Sequence, residues 1–282
     1  AAGSIASLLK LYHELKEIGP YFGYKVIKCH LITKSDFEQR ARDLFADQDV
    51  EILKGHRVLG SVIGNDESRR EFFDEKSQTY TSLLKKLSKH AKIAPQNVYK
   101  AFTNGVQHKL TFISRTTPNS EVLINKTERI INDDLIPSIV NHPTYNDKYR
   151  KIFSLPVREG GLSILLPEDR AHEYERSLKI TQPFESLDDA IDIDSEQLRI
   201  INNIKKEKLE NSKSKKNEID NMLTSDEKYA MKLSREKGAS CWLNALPLKK
   251  YHFDLTKSEF RDGIALRYGW EPVKLPSNCA CN

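Results

Sequence analysis

Five apolar residues at intervals of about four, Val98, Phe102, Val106, Leu110 and Ile113, run through the middle of this 282-residue chain. The spacing brings them onto one stripe of a helix, so the segment can bury one face and leave the other to solvent. Just before it, Tyr80, Leu83, Leu84, Leu87 and Ala91 mark a second stripe, and Pro95 falls where a first-turn proline is tolerated. Both helices are basic. Between positions 76 and 120 lie eight Lys or Arg (Lys76, Lys85, Lys86, Lys89, Lys92, Lys100, Lys109 and Arg115) and not one Asp or Glu. The chain carries +5 in all, so everything outside this segment sums to −3. Lys85, Lys86, Lys89, Lys100 and Arg115 fall off the apolar stripes and are expected to face outward. A basic run is most often a solvated helix face, but an acid-free stretch of 45 residues in a chain otherwise rich in acids is what a polyanion-binding surface needs. Tyr80, Tyr99, Phe102 and Phe112 are interleaved and could stack on bases. Phe102 belongs to the apolar stripe, so the lysines carry the expectation.

The segments on either side complete an α+β, mostly helical chain. A helix over about 120–136, with Leu123, Ile124, Ile130, Ile131 and Leu135, is expected to end or kink at Pro137. Toward the N-terminus, Ile5, Leu8, Leu9, Tyr12, Leu15 and Ile18 form an amphipathic helix, and GPYFGYKVIKCHLI (19–32) supplies a strand. A short helix over 34–45 opens with Ser35 and Glu38 at capping-box spacing. Residues 50–53 and 58–63 read as an antiparallel pair turning at Lys54-Gly55-His56. Toward the C-terminus, Pro156, Gly160 and Gly161 lead into an expected short strand, and 169–180 reads as helix. The Lys-, Glu- and Asn-rich stretch 195–237 reads as a long exposed helix, interrupted near 211–216, that bridges rather than packs. A last helix covers about 257–268. The expected divisions are 1–68, 69–160, 161–237 and 238–282.

The four cysteines, Cys29, Cys241, Cys279 and Cys281, are too few and too unevenly spaced for a disulfide framework. No apolar run reaches the roughly 18 residues of a membrane span and no signal peptide is visible, which points to the nucleus or cytoplasm and away from a membrane. The histidines lack metal-ligand spacing, and there is no Ser/His/Asp set or Gly-rich phosphate loop. Cys279-Ala-Cys281 makes half of a tetrahedral zinc site.

Several stretches, in order, resemble the reverse-transcriptase-like proteins of animal retroelements. Helix, Gly23, a strand with Lys28, then Leu59-Gly60 is similar to the part of the palm that follows the catalytic aspartate hairpin. AFTNGVQHKLTFISRTTP (101–118), LPVREGGLSI (155–164), EYERSLKITQPF (173–184) and FRDGIALRYGWEPVKLPSNCAC (260–281) extend the resemblance over about four fifths of the chain. It implies that 1–68 is the trailing part of a palm, that 69–160 is a helical thumb, and that the rest is a connecting region and a C-terminal segment with an incomplete Cys motif. Lys28 would then lie near the incoming nucleotide and help pyrophosphate depart, where a plainer reading makes it a solvated lysine at a strand edge. Leu59, Gly60 and Ser61 would form the primer grip, where the plainer reading is an ordinary hairpin. The resemblance implies an RNA-directed DNA polymerase working on an RNA or DNA template-primer. Such a polymerase uses Mg²⁺ held by paired aspartates, which the family carries just ahead of the residue matching Ala1. This chain opens AAGSIASLL, with no acidic residue before Glu14. It is therefore expected to need the upstream half of the same polymerase, to carry no cofactor of its own, and to be inactive alone. The alternatives are a non-catalytic basic helical nucleic-acid-binding module and a degenerate retroelement remnant.

Overall fold

The computed structural model describes residues 3–185 and 192–273. Helix accounts for 68 %, and the strands form two small sheets, so the chain is α+β and mostly helical. It divides into two compact units, Ala1–Glu75 and Lys76–Asn282.

In the first unit, α1 (Ile5–Ile18) starts at Ser4, whose hydroxyl accepts from the Ser7 N–H. Its buried residue is Tyr12, set edge-on to Phe45 at the end of α2 (Glu38–Leu44). The expected capping box does not form. Residues Ser35–Phe37 make a 3-10 turn, and Glu38 turns forward to accept from Arg42 rather than back toward Ser35.

Strand β1 (Cys29–Ile32) pairs in parallel with β2 (Val50–Leu53), and α2 supplies the crossover. Strand β3 (Gly55–Val58) pairs antiparallel with β4 (Ser61–Gly64). The expected hairpin between 50–53 and 58–63 is therefore wrong in its partners and its turn, which is Leu59-Gly60. Gly55 serves close strand approach instead: a Cβ on Gly64 would lie 2.3 Å from the Gly55 Cα, so only a glycine pair fits that end of the ladder.

Helix α3 (Asp66–Ala91) spans the boundary between the units, with Asn65 Oδ1 accepting from the Ser68 N–H at its start. In the second unit, α4 (Pro95–Ala101) passes through a π-turn, Phe102–Val106, into α5 (Gln107–Thr116). Likewise α6 (Glu121–Ile130) passes through Ile131–Leu135 into α7 (Ile136–Val140). Pro137 is not a stop. It sits in the first turn of α7, just past the π-turn, and the helix runs on to a left-handed Asn141.

The core gathers Tyr99, Phe102, Leu110, Leu123, Leu135, Phe153, Ile164 and Phe260. At its centre, after α8 (Asp147–Ser154), the stretch 155–166 forms no strand, because side chains take its carbonyls one by one. Arg267 donates to Val157 O and Gly161 O, Arg235 to Glu159 O, and the Tyr268 hydroxyl to Gly160 O. The Tyr99 hydroxyl donates to Leu162 O, the Gln107 amide to Ser163 O, and Arg150 to Ile164 O and Leu165 O. Gln107 Oε1 also accepts from the Leu165 N–H.

Helix α9 (Glu173–Thr181) follows, and then α10 (Ile193–Asn221), which runs unbroken through the expected interruption at 211–216. It also packs, through charge rather than apolar surface. Its buried residues are Ile204 and Ile219, but Glu207 meets Arg176, Lys208 meets Glu173, Lys215 meets Asp169, and Lys216 meets Glu159. Asp220 pairs with Arg235, the residue that caps the C-terminus of α11 (Ser225–Ser234). A short helix, α12 (Cys241–Asn244), leads to α13 (Lys257–Arg267).

Candidate nucleic-acid interface

The basic residues separate by environment. Lys85, Lys86 and Lys89 are exposed on the last two turns of α3, with Lys92 exposed just beyond. Lysine at a helix C-terminus also complements the helix dipole, so part of this clustering serves the helix itself. Lys109 is exposed on α5.

Lys100 corrects the expectation. It is buried, and its ammonium donates to Leu243 O and Asn244 O, the last carbonyls of α12. Desolvation lowers its pKa below the ordinary lysine value. The apolar pattern placed Lys100 outside because it could not show that α12 folds back over that side of α4. Arg115 does face outward, but its Nε donates to Glu173 Oε2 at 2.7 Å. Burial would raise the pKa of Glu173, yet hydrogen bonds from Lys208 and Arg115 and their charges hold it below the usual carboxylate range.

In the first unit, Lys28 precedes β1 rather than lying on it, is 72 % exposed, and stands 3.8 Å from Glu51. His30 approaches the same carboxylate at 3.5 Å and packs edge-on against His56. The Leu59-Gly60 turn is the most distinctive feature. Both residues have positive φ, 50° and 88°, which is the geometry of a two-residue I′ turn. Leu59 is also 93 % exposed, whereas Ser61, next along, is buried.

No family model matches the chain, and no curated protein or solved structure shows significant similarity to it.

Among the described residues, no group of three His, Cys, Asp or Glu is placed to hold a metal ion. Cys279 and Cys281 lie outside the described residues. No described helix is long and apolar enough to cross a membrane.

The acid-free criterion passes over a second set of cations. Arg129, Arg150, Arg170 and Arg176, with Arg115, line one cavity of about 1180 Å³ in the second unit. Acids are interleaved with them in sequence, which hid the cluster. The one local signal is the pair of arginines at 170 and 176, bracketing the start of a helix.

Proposed function

We propose that this chain is the end of the palm, the thumb and the following region of a reverse-transcriptase-like polymerase, gripping the primer and binding template-primer without performing the chemistry. The observation that carries this reading is Leu59. A side-chain-bearing residue in left-handed backbone costs about 1 kcal/mol, and Asn-Gly is the sequence that suits such a turn. A strained leucine held out in solvent at a hairpin tip is poorly explained by stability and well explained by contact with a ligand. A glycine beside it lets a nucleic-acid backbone approach.

The exposed lysines at the end of α3 and on α5 support the same reading, since each can neutralise a phosphate. Tyr21, Phe22, Tyr24 and Ile27 are also exposed, in keeping with a surface that the upstream half of the polymerase covers. The chemistry of such a polymerase would require two Mg²⁺ held by paired aspartates. No described residues of this chain fit those ions. Lys28 would contribute a positive charge near the departing pyrophosphate.

The test is anisotropy of a labelled RNA–DNA primer-template over a range of salt, comparing a recessed 3′ end with a closed hairpin of equal length. Preference for the recessed end, lost in Leu59→Asn, is the expected result. Equal binding of both, unaffected by Leu59→Asn but weakened by Lys85→Glu, Lys86→Glu and Lys89→Glu together, would replace the primer-grip reading with that of a basic binding module.

A further inference from the structure

Arg170 is 4 % exposed and stands in the wall shared by the large cavity of the second unit and a smaller one of about 200 Å³. Its Nη1 donates to Leu165 O and Leu166 O, both at 3.4 Å, while Nε and Nη2 have no hydrogen-bond partner. Three acidic groups act on its charge, and each is already engaged. Asp169 takes Lys215 and the Leu166 N–H, Glu128 takes Arg150 through both oxygens, and Glu173 takes Arg115 and Lys208. Burial lowers the Arg170 pKa to about 10, so the group is still cationic at neutral pH.

A buried guanidinium with most of its donors unused is costly unless an anion meets it, and its planar fork matches the oxygens of a phosphoryl group. Its surroundings carry both signs, since the exposed carboxylates of Asp133, Asp147, Glu168 and Glu218 line the same cavity. Arg176, also buried, has an unpartnered Nε, and Arg129 and Lys151 are exposed cavity-lining residues. The cavity is large enough for more than a single phosphate.

We propose that this cavity is a phosphoryl-binding site in which Arg170 is the central donor. The assignment does not rest on the nucleic-acid reading, because neither the Leu59-Gly60 turn nor the lysines of α3 take part. The phosphoryl group could belong to a free polyphosphate or to the end of a nucleic-acid strand. The two sources are distinguished by titrating the full chain with pyrophosphate and with a 12-nucleotide oligomer carrying or lacking a 5′-phosphate.

Thermal shift and ³¹P NMR at constant ionic strength read the binding. The expected result is saturable binding of pyrophosphate, or of the 5′-phosphorylated oligomer in preference to the bare one, weakened at least tenfold in Arg170→Met. Arg129→Glu, which sets a carboxylate at an exposed cavity position, provides the same test should Arg170→Met fail to fold. Lys228→Glu, at an exposed position of α11 outside the cavity lining, should leave this binding unchanged. Absence of saturable binding of either probe at 10 mM, or binding indifferent to Arg170→Met and Arg129→Glu, overturns the proposal.

Discussion

Two glycines in the second unit should respond to alanine with opposite signs. A Cβ on Gly161 would lie 1.9 Å from Leu155 O and 2.5 Å from the Leu155 carbonyl carbon, both backbone atoms that cannot swing aside. Relieving that overlap requires a shift of more than about 1 Å, well beyond what close packing absorbs. The shift would disturb the Ser163 N–H to Leu155 O bond, the Leu162 N–H to Phe153 O bond and the Arg267 contact with Gly161 O. At about 1 kcal/mol for each of these three hydrogen bonds and 1–3 kcal/mol for overpacking, Gly161→Ala should cost about 4–6 kcal/mol. Gly105 lies in the first π-turn with nothing within 4 Å of its would-be Cβ. Alanine there gains helix propensity and should stabilise by about 0.5–1 kcal/mol. Both tryptophans, Trp242 and Trp270, belong to the second unit, so urea unfolding followed by tryptophan fluorescence reports on that unit alone. A Gly161→Ala unfolding free energy within about 1 kcal/mol of the parent, or a destabilised Gly105→Ala, would refute the packing described for this region.

Glu227 is a pH-sensitive contact: desolvation pushes its pKa up, but Lys148, the Thr224 N–H and the Tyr149 hydroxyl overrule that and bring it down to about 2. Because the folded pKa is depressed, the stabilisation is full above about pH 4.5 and is lost as pH falls toward about 2; Glu227→Gln should flatten that decline in tryptophan-monitored unfolding. Lys100→Met should leave primer-template affinity within about twofold while lowering stability by about 1–2 kcal/mol, since its two hydrogen bonds go to protein carbonyls; a large loss of affinity would return Lys100 to the binding face. Leu59→Asn should stabilise the β3–β4 hairpin by about 0.5–1 kcal/mol, read as slower amide exchange in 55–64, and faster exchange there would remove the strain argument. The purified chain should incorporate no labelled nucleotide with Mg²⁺, and incorporation by sequence-verified material would show that it holds its own catalytic groups.

The helices were legible because their apolar residues keep strict spacing, and that spacing held more than was drawn from it. Steps of four from Val98 through Phe102 and Val106 to Leu110, and from Thr127 through Ile131 and Leu135 to Ile139, each drift by about 40° from a 3.6-residue turn. All eight side chains are buried, and a π-turn falls inside each run, adding the residue that restores the stripe. The strand pairing was not legible, because Gly55 looks the same in sequence whether it makes a turn or allows two strands to close up. The outward placement of Lys85, Lys86, Lys89 and Arg115 followed from periodicity. Lys100 did not, since what buries it arrives from more than 140 positions away. The Arg170 cavity was hidden for a related reason: its character lies in which acids are already engaged, and composition does not record pairing.

The 155–166 stretch also sets an order of events. Its carbonyls are met by Tyr99 and Gln107 from before it, by Arg235 from 76 positions later, and by Arg267 and Tyr268 from more than 100 positions later. A chain leaving the ribosome can wind its early helices while Val157, Gly160 and Gly161 still present bare carbonyls to water. Only when α13 has emerged can the centre of the second unit dry out, so this unit should close late and nearly at once, with its last helix acting as the latch.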